Sequence, residues 1–148
     1  MEKNNISSWK IFLGSFFYLG KLKGGGTYTS IIAALIFYYF FDWNSYTYIL
    51  TVLGIIIFGL VLSYRLKSDF QWFTIDELSG MAVTFIFHTK SISVMTIGLL
   101  VFRLFDIFKP PFIKKLEKKR FGILLDDIIA GLIANGFLWI VRYLWTVR

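Results

Sequence analysis

The chain alternates between apolar runs and short charged gaps. Trp9 to Gly20 is apolar and aromatic but only twelve residues long, too short to cross a hydrocarbon core of about 30 Å. It is expected to lie in an interface or to line the other runs. Lys21, Lys23 and the triplet Gly24 to Gly26 break it. Thr27 to Phe41 is a first candidate span of fifteen residues, short enough to need local thinning or part of the glycine segment. After a turn at Asp42 to Ser45, Tyr46 to Tyr64 runs nineteen residues without a charge, the clearest transmembrane pattern here. Phe70 to Phe87 is a third run, interrupted near its start by Asp76 and Glu77, and His88 to Lys90 forms a turn. Ser91 to Phe108 is the fourth and carries Arg103 and Asp106 near its end. Pro110 and Pro111 stop it, because proline lacks the N–H that a helix interior needs. The basic loop Lys114 to Arg120 leads into the fifth run, Ile123 to Val141, with Asp126 and Asp127 near its start and Arg142 to Arg148 as a short tail. The pattern predicts an all-α integral membrane bundle of four to five transmembrane helices with an N-terminal interfacial helix, forming a single domain over residues 1–148.

Composition agrees with that class. The chain is 57% hydrophobic and 20% aromatic, with a mean hydropathy of +0.67, against an apolar share of about 45–50% in soluble domains. It has no cysteine, which excludes disulfides, cysteine metal sites and cysteine nucleophiles. The net charge of +7 sits in the gaps between apolar runs, a distribution that favours anionic lipid over nucleic acid. MEKNNISSWK at the N-terminus is polar and is followed by no small-residue cleavage site, so no removable signal peptide is expected. With the N-terminus in the cytoplasm and five crossings, all but Lys90, Arg142 and Arg148 of the 16 basic residues fall on the cytoplasmic side, as the positive-inside bias requires.

That orientation brings polar residues from several runs to one depth. Thr27 and Ser30 start the first span, Asp76 and Glu77 the third, Asp126 and Asp127 the fifth; Arg103 and Asp106 end the fourth. All lie at cytoplasmic ends, just inside the leaflet, where charges are costly and usually functional. Arg103, Asp106 and Lys109 follow at intervals of three, roughly one helical face. Five carboxylates, Asp76, Glu77, Asp106, Asp126 and Asp127, suit a hard divalent ion such as magnesium, which prefers oxygen ligands. Arg103 and Lys109 suit phosphate oxygens, one as a planar fork and the other as a point charge, with Thr27 and Ser30 as hydrogen-bond donors. Gly80 and Gly131 each follow an acid by four residues, so helices can approach closely beside the carboxylates. Asp76 and Asp126 near helix N-termini would also be favoured by the macrodipole.

Exclusion narrows the chemistry. His88 is the only histidine and falls at the opposite end, where it reads as a turn residue. Histidine-nucleophile phosphatases, His-Glu-x-x-His zinc helices and a Ser-His-Asp triad are therefore excluded. The glycine triplet lacks the Lys-Ser/Thr of a nucleotide loop. Metal-assisted chemistry by carboxylates remains, with a small intramembrane ion or proton transporter using the same acids as the alternative, and a non-catalytic subunit held by charged pairs as a third reading.

Three stretches carry a family resemblance: Ile75 to Met81 (IDELSGM), Phe102 to Ile113 (FRLFDIFKPPFI) and Gly122 to Gly131 (GILLDDIIAG), with a weaker one at Gly26 to Ser30. In sequence, order and separation they resemble the membrane phosphatidylglycerophosphatases of type A, from about Gly20 to the end of the fifth run. Thr29 stands where that family usually has glycine, and Lys119-Arg120-Phe121 where it tends to have glycines. The resemblance implies a magnesium-dependent hydrolase that removes the terminal phosphate of the lipid phosphatidylglycerophosphate, giving phosphatidylglycerol. It also implies a multi-pass protein of the bacterial inner membrane, here with its site facing the cytoplasm. The oligomeric state and the choice between direct water attack and an aspartyl-phosphate stay open in the sequence.

Overall fold

The computed structural model describes residues 8–63, 72–111, 113 and 122–147. The gap with Arg65, Lys67 and Asp69 and the basic loop Lys114 to Arg120 lie outside the described residues. Within them the chain is all-helical, as expected. The six α-helices are α1 (Ser8–Gly14), α2 (Gly25–Phe40), α3 (Tyr46–Ser63), α4 (Ile75–Thr84), α5 (Ile92–Phe108) and α6 (Gly122–Thr146), with one 3₁₀ turn, Leu19–Lys21, before α2. By length and composition α3 and α6 are apolar enough to cross a membrane.

Helix ends follow the local chemistry. Gly24 enters α2 at φ 82°, a left-handed conformation that glycine adopts without a Cβ clash. Ser91 caps α5, its Oγ accepting from the Val94 N–H at 3.1 Å; a cap of this kind satisfies one of the free N–H groups of a first turn. At the other end Lys109 turns to φ 34° ahead of the two prolines. The Asp42 to Ser45 turn closes through the Ser45 N–H and the Asp42 carbonyl at 3.0 Å.

Two boundaries differ from the sequence expectation. Among its described residues the third run is helical only over the ten residues of α4, and Phe85 to Lys90 leave the helix. Distant groups capture the end of α4: Tyr48 Oη donates to the Ala82 carbonyl at 2.7 Å, Asn135 Nδ2 reaches the carbonyls beyond it, and Phe85 stacks on Trp43 at 4.4 Å. Nothing in the run itself distinguishes helical from non-helical apolar residues. Conversely, the expected tail is helical to Thr146, where no proline or glycine interrupts and the Thr146 hydroxyl bonds back to the Arg142 carbonyl. Because α6 also starts a residue early, its first turn holds no acid, and the macrodipole argument applies to Asp76 alone.

Short as it is, α4 touches α2, α3, α5 and α6, and packs most extensively on α6. The contact is glycine on glycine. A Cβ at Gly131 would lie 2.3 Å from the Gly80 carbonyl oxygen, and one at Gly80 would lie 2.6 Å from that of Asp127. No side chain fits there, so the two helices run parallel at close range. Beyond them Phe37, Tyr48, Met81 and Phe102 fill the buried core. Gly131→Ala should therefore destabilise the protein by about 1–3 kcal/mol, as overpacking does. Gly54→Ala, in a part of α3 with nothing within 4 Å of the new methyl, should be neutral or gain about 0.5–1 kcal/mol. Thermal unfolding of the two variants in detergent checks the contrast.

Candidate active site

The acids are delivered by helix starts. Asp76 and Glu77 are the second and third residues of α4, where unpaired N–H groups and the macrodipole favour negative charge. Asp126 and Asp127 lie one turn into α6. In each pair the first carboxylate accepts from the next N–H, Asp76 Oδ1 from Glu77 at 3.0 Å and Asp126 Oδ1 from Asp127 at 3.1 Å. The glycine contact then places the two helix starts side by side. One carboxylate oxygen from each of Asp76, Glu77 and Asp127 lies within 4.8 Å of the other two, the arrangement of a metal-ligating group.

The expected cations stand around this group in two pairs. Arg103 on α5 is paired through Nη1 with Asp106, and its Nη2 donates to Thr27 Oγ1 at the start of α2 at 3.1 Å. Lys109 Nζ meets Asp126 Oδ2 at 2.5 Å. Asp106 is an electrostatic neighbour of both Glu77 and Asp127, and Asp126 of Asp76, so the five acids form one field. Exposure grades across it. Asp126 and Asp127 are 2% and 3% exposed, Asp76 is 7%, and Thr27 is open to the outside. Glu77 Oε2 and Arg103 Nε are buried without a hydrogen-bond partner, which in a native site calls for an explanation.

Two further residues shape the site. Gly26 faces Glu77 so closely that a Cβ would lie 2.1 Å from Glu77 Oε1; the sequence shows this glycine only as part of a triplet. Ser30 is buried, and its hydroxyl donates to the Gly26 carbonyl at 2.8 Å. Its proton is thus turned to the α2 backbone and steadies the glycine against which Glu77 rests. His88 sits at the far end of the molecule, as expected, but as a buried residue rather than a plain turn position. Its Nε2 meets the Asn135 backbone carbonyl at 3.2 Å and its ring tilts against Trp139. Burial lowers its pKa below the usual imidazole value.

Charge decides what the arrangement can do. Among the described residues, Arg103 and Lys109 are paired with Asp106 and Asp126, whereas Asp76, Glu77 and Asp127 have no ion pair. Any two of these carboxylates that are both ionised would repel by roughly 3.5 kcal/mol at the 4.8 Å limit of the group and an effective dielectric of about 20. Oxygen-only ligands, excess negative charge and an unpartnered carboxylate oxygen all fit a hard divalent cation.

The chain matches the family model described as Phosphatidylglycerophosphatase A over residues 12–142. Phosphatidylglycerophosphatase A of Escherichia coli (strain K12) is 31% identical to it over 129 residues, covering 77% of this chain and 72% of that protein. No solved structure matches.

The repulsion gives a direct test. In a chelating buffer Glu77→Gln should raise the melting temperature by about 2–4 °C, the shift expected for about 1 kcal/mol in a chain of this length. Wild type should gain stability when a divalent cation is added, and Glu77→Gln should gain less. Scanning calorimetry with and without chelator reads both effects, and a lower melting temperature for the variant in chelator would count against the charge argument.

Proposed function

This chain belongs to the phosphatidylglycerophosphatase A family, a family of phosphatases. From that premise we propose that it is a membrane-embedded, magnesium-dependent phosphomonoesterase that hydrolyses phosphatidylglycerophosphate to phosphatidylglycerol and phosphate. The observation that supports this most is the group of three carboxylates from α4 and α6 beside the Arg103 guanidinium. Asp76, Glu77 and Asp127 would hold the ion, with Asp106 and Asp126 around it. When bound, magnesium would neutralise phosphate charge and lower the pKa of a bound water.

The remaining work falls to the protein. Arg103, already oriented by Asp106 and Thr27, offers a planar fork to phosphoryl oxygens. Lys109 adds a point charge next to Asp126. Both oppose the negative charge that spreads over the equatorial oxygens in a loose transition state. Ser30 acts through Gly26, which holds Glu77 in place. The buried acids leave the site open on the Thr27 side, where a headgroup can approach while its acyl chains stay in the leaflet.

A membrane setting is supported by the outer surface. Leu50, Leu53, Ile57 and Val61 on α3, Leu100 and Leu104 on α5, and Leu132 and Ile140 on α6 are all exposed. Soluble monomers rarely expose so many large apolar side chains together. The proposed topology has five crossings, the α4 crossing being helical for only part of its length. Trp9, Phe12, Phe17 and Tyr18, also exposed, suit the aromatic belt of an interface. The proposed orientation has the site on the cytoplasmic face of a bacterial inner membrane; all but Lys90, Arg142 and Arg148 of the 16 basic residues would then lie on that side, in keeping with the positive-inside bias.

The test is phosphate release by purified protein in mixed micelles of phosphatidylglycerophosphate or of phosphatidic acid, each with and without magnesium. Release should require magnesium and favour phosphatidylglycerophosphate. Asp76→Asn and Arg103→Met should each lower kcat about 100-fold or more with helicity retained, and His88→Ala should stay near wild type. Ion flux across sealed vesicles with no phosphate release would instead select the transporter reading.

A further inference from the structure

The face of α6 that turns to α4 carries three polar or small residues at intervals of four: Asp127, Gly131 and Asn135. On α4 the matching series is Asp76, Gly80 and Thr84. The series meet in register. The acids meet at one end, the glycines touch in the middle, and Asn135 closes the other end. Its Nδ2 donates to the carbonyls of Ile86 at 2.9 Å, Thr84 at 3.1 Å and Val83 at 3.4 Å. The Val83 and Thr84 carbonyls are among the last four of α4, which have no partner inside the helix; that of Val83 also accepts from the Ile86 N–H at 3.3 Å.

The glycine-on-glycine contact admits no other residue, so it fixes one crossing point, but it does not by itself hold the arms on either side of that point at a set angle. Directional bonds do. A tilt of α4 about that crossing would swing Asp76 and Glu77, about one helical turn from Gly80, away from Asp127. We propose that Asn135 is a positioning residue for the acid cluster. Its carboxamide locks the C-terminal end of α4 to α6 and so holds Asp76, Glu77 and Asp127 in ligand range of one another. The proposal rests on the assignment of those three acids to a divalent cation. Asn135 touches neither ion nor substrate; it acts through α4.

The test reads ion binding in the absence of substrate. Purified full-length protein is titrated with manganese(II), and the free ion is followed by electron paramagnetic resonance. Asn135→Leu, similar in size but without donors, should bind manganese about tenfold or more weakly, as loss of a group that orients ligands does. His88→Ala disturbs the same end without removing the three bonds and should bind as wild type. If Asn135→Leu loses its helical circular dichroism, Asn135→Ser, with one shorter donor, is read in the same way. Unchanged manganese binding in a folded Asn135 variant would overturn the role of Asn135 alone. Equal weakening by His88→Ala would do the same by assigning the effect to general packing. Absence of manganese binding in wild type would overturn the metal assignment, and this role with it.

Discussion

The contact between Gly80 and Gly131 is the constraint on which the rest of the arrangement hangs. Aspartate side chains are short. For oxygens on two helices to come within 4.8 Å, the backbones must approach more closely than ordinary side chains allow. With a Cβ on either glycine the helices would have to part, and the acids with them. Close approach then creates an electrostatic cost, because three carboxylates without ion pairs share one small volume. Arg103 and Lys109, pairing with the two outer acids, confine the excess charge to the centre of the site, where a divalent cation would meet it.

A helix of ten residues rises only about 15 Å, roughly half of a hydrocarbon core. In the proposed topology, non-helical backbone at that depth must find partners inside the protein, and the backbone beyond α4 has them. Tyr48 and Asn135 take carbonyls at the end of α4. The Phe87 N–H donates to the Trp43 carbonyl, and Asn44 Nδ2 to the carbonyl of His88. The aromatic stack of Trp43 on Phe85 is buried just past the end of the helix. The same groups that stop α4 therefore tie its end to the segments around it.

Much of this is legible in the chain because its punctuation is local. Gly24 to Gly26, Asp42 to Ser45, Ser91 and Pro110-Pro111 mark helix ends within a residue or two of the observed bounds. The acids and the glycines four residues beyond them announce a close helix pair before any coordinate is known. The length of α4 is different. The residues from Met81 to Phe87 are apolar but for Thr84, whether helical or not, and what holds the helix end comes from Tyr48 and Asn135, far away in sequence. The fit of Gly26 to Glu77 and the turning of the Ser30 hydroxyl to the backbone are likewise tertiary facts. Which acid pairs with which cation is hidden for the same reason. Spacing puts Arg103, Asp106 and Lys109 on one face, but only the fold gives Lys109 to Asp126.

Seen mechanically, α4 is clipped to α6 at two points, the glycine contact and the carboxamide bonds of Asn135. Both clips lie on one side of the carboxylates, which therefore sit at the loose end of the helix pair. A divalent cation would be a third clip at that end, and its arrival would stiffen the pair along its whole length.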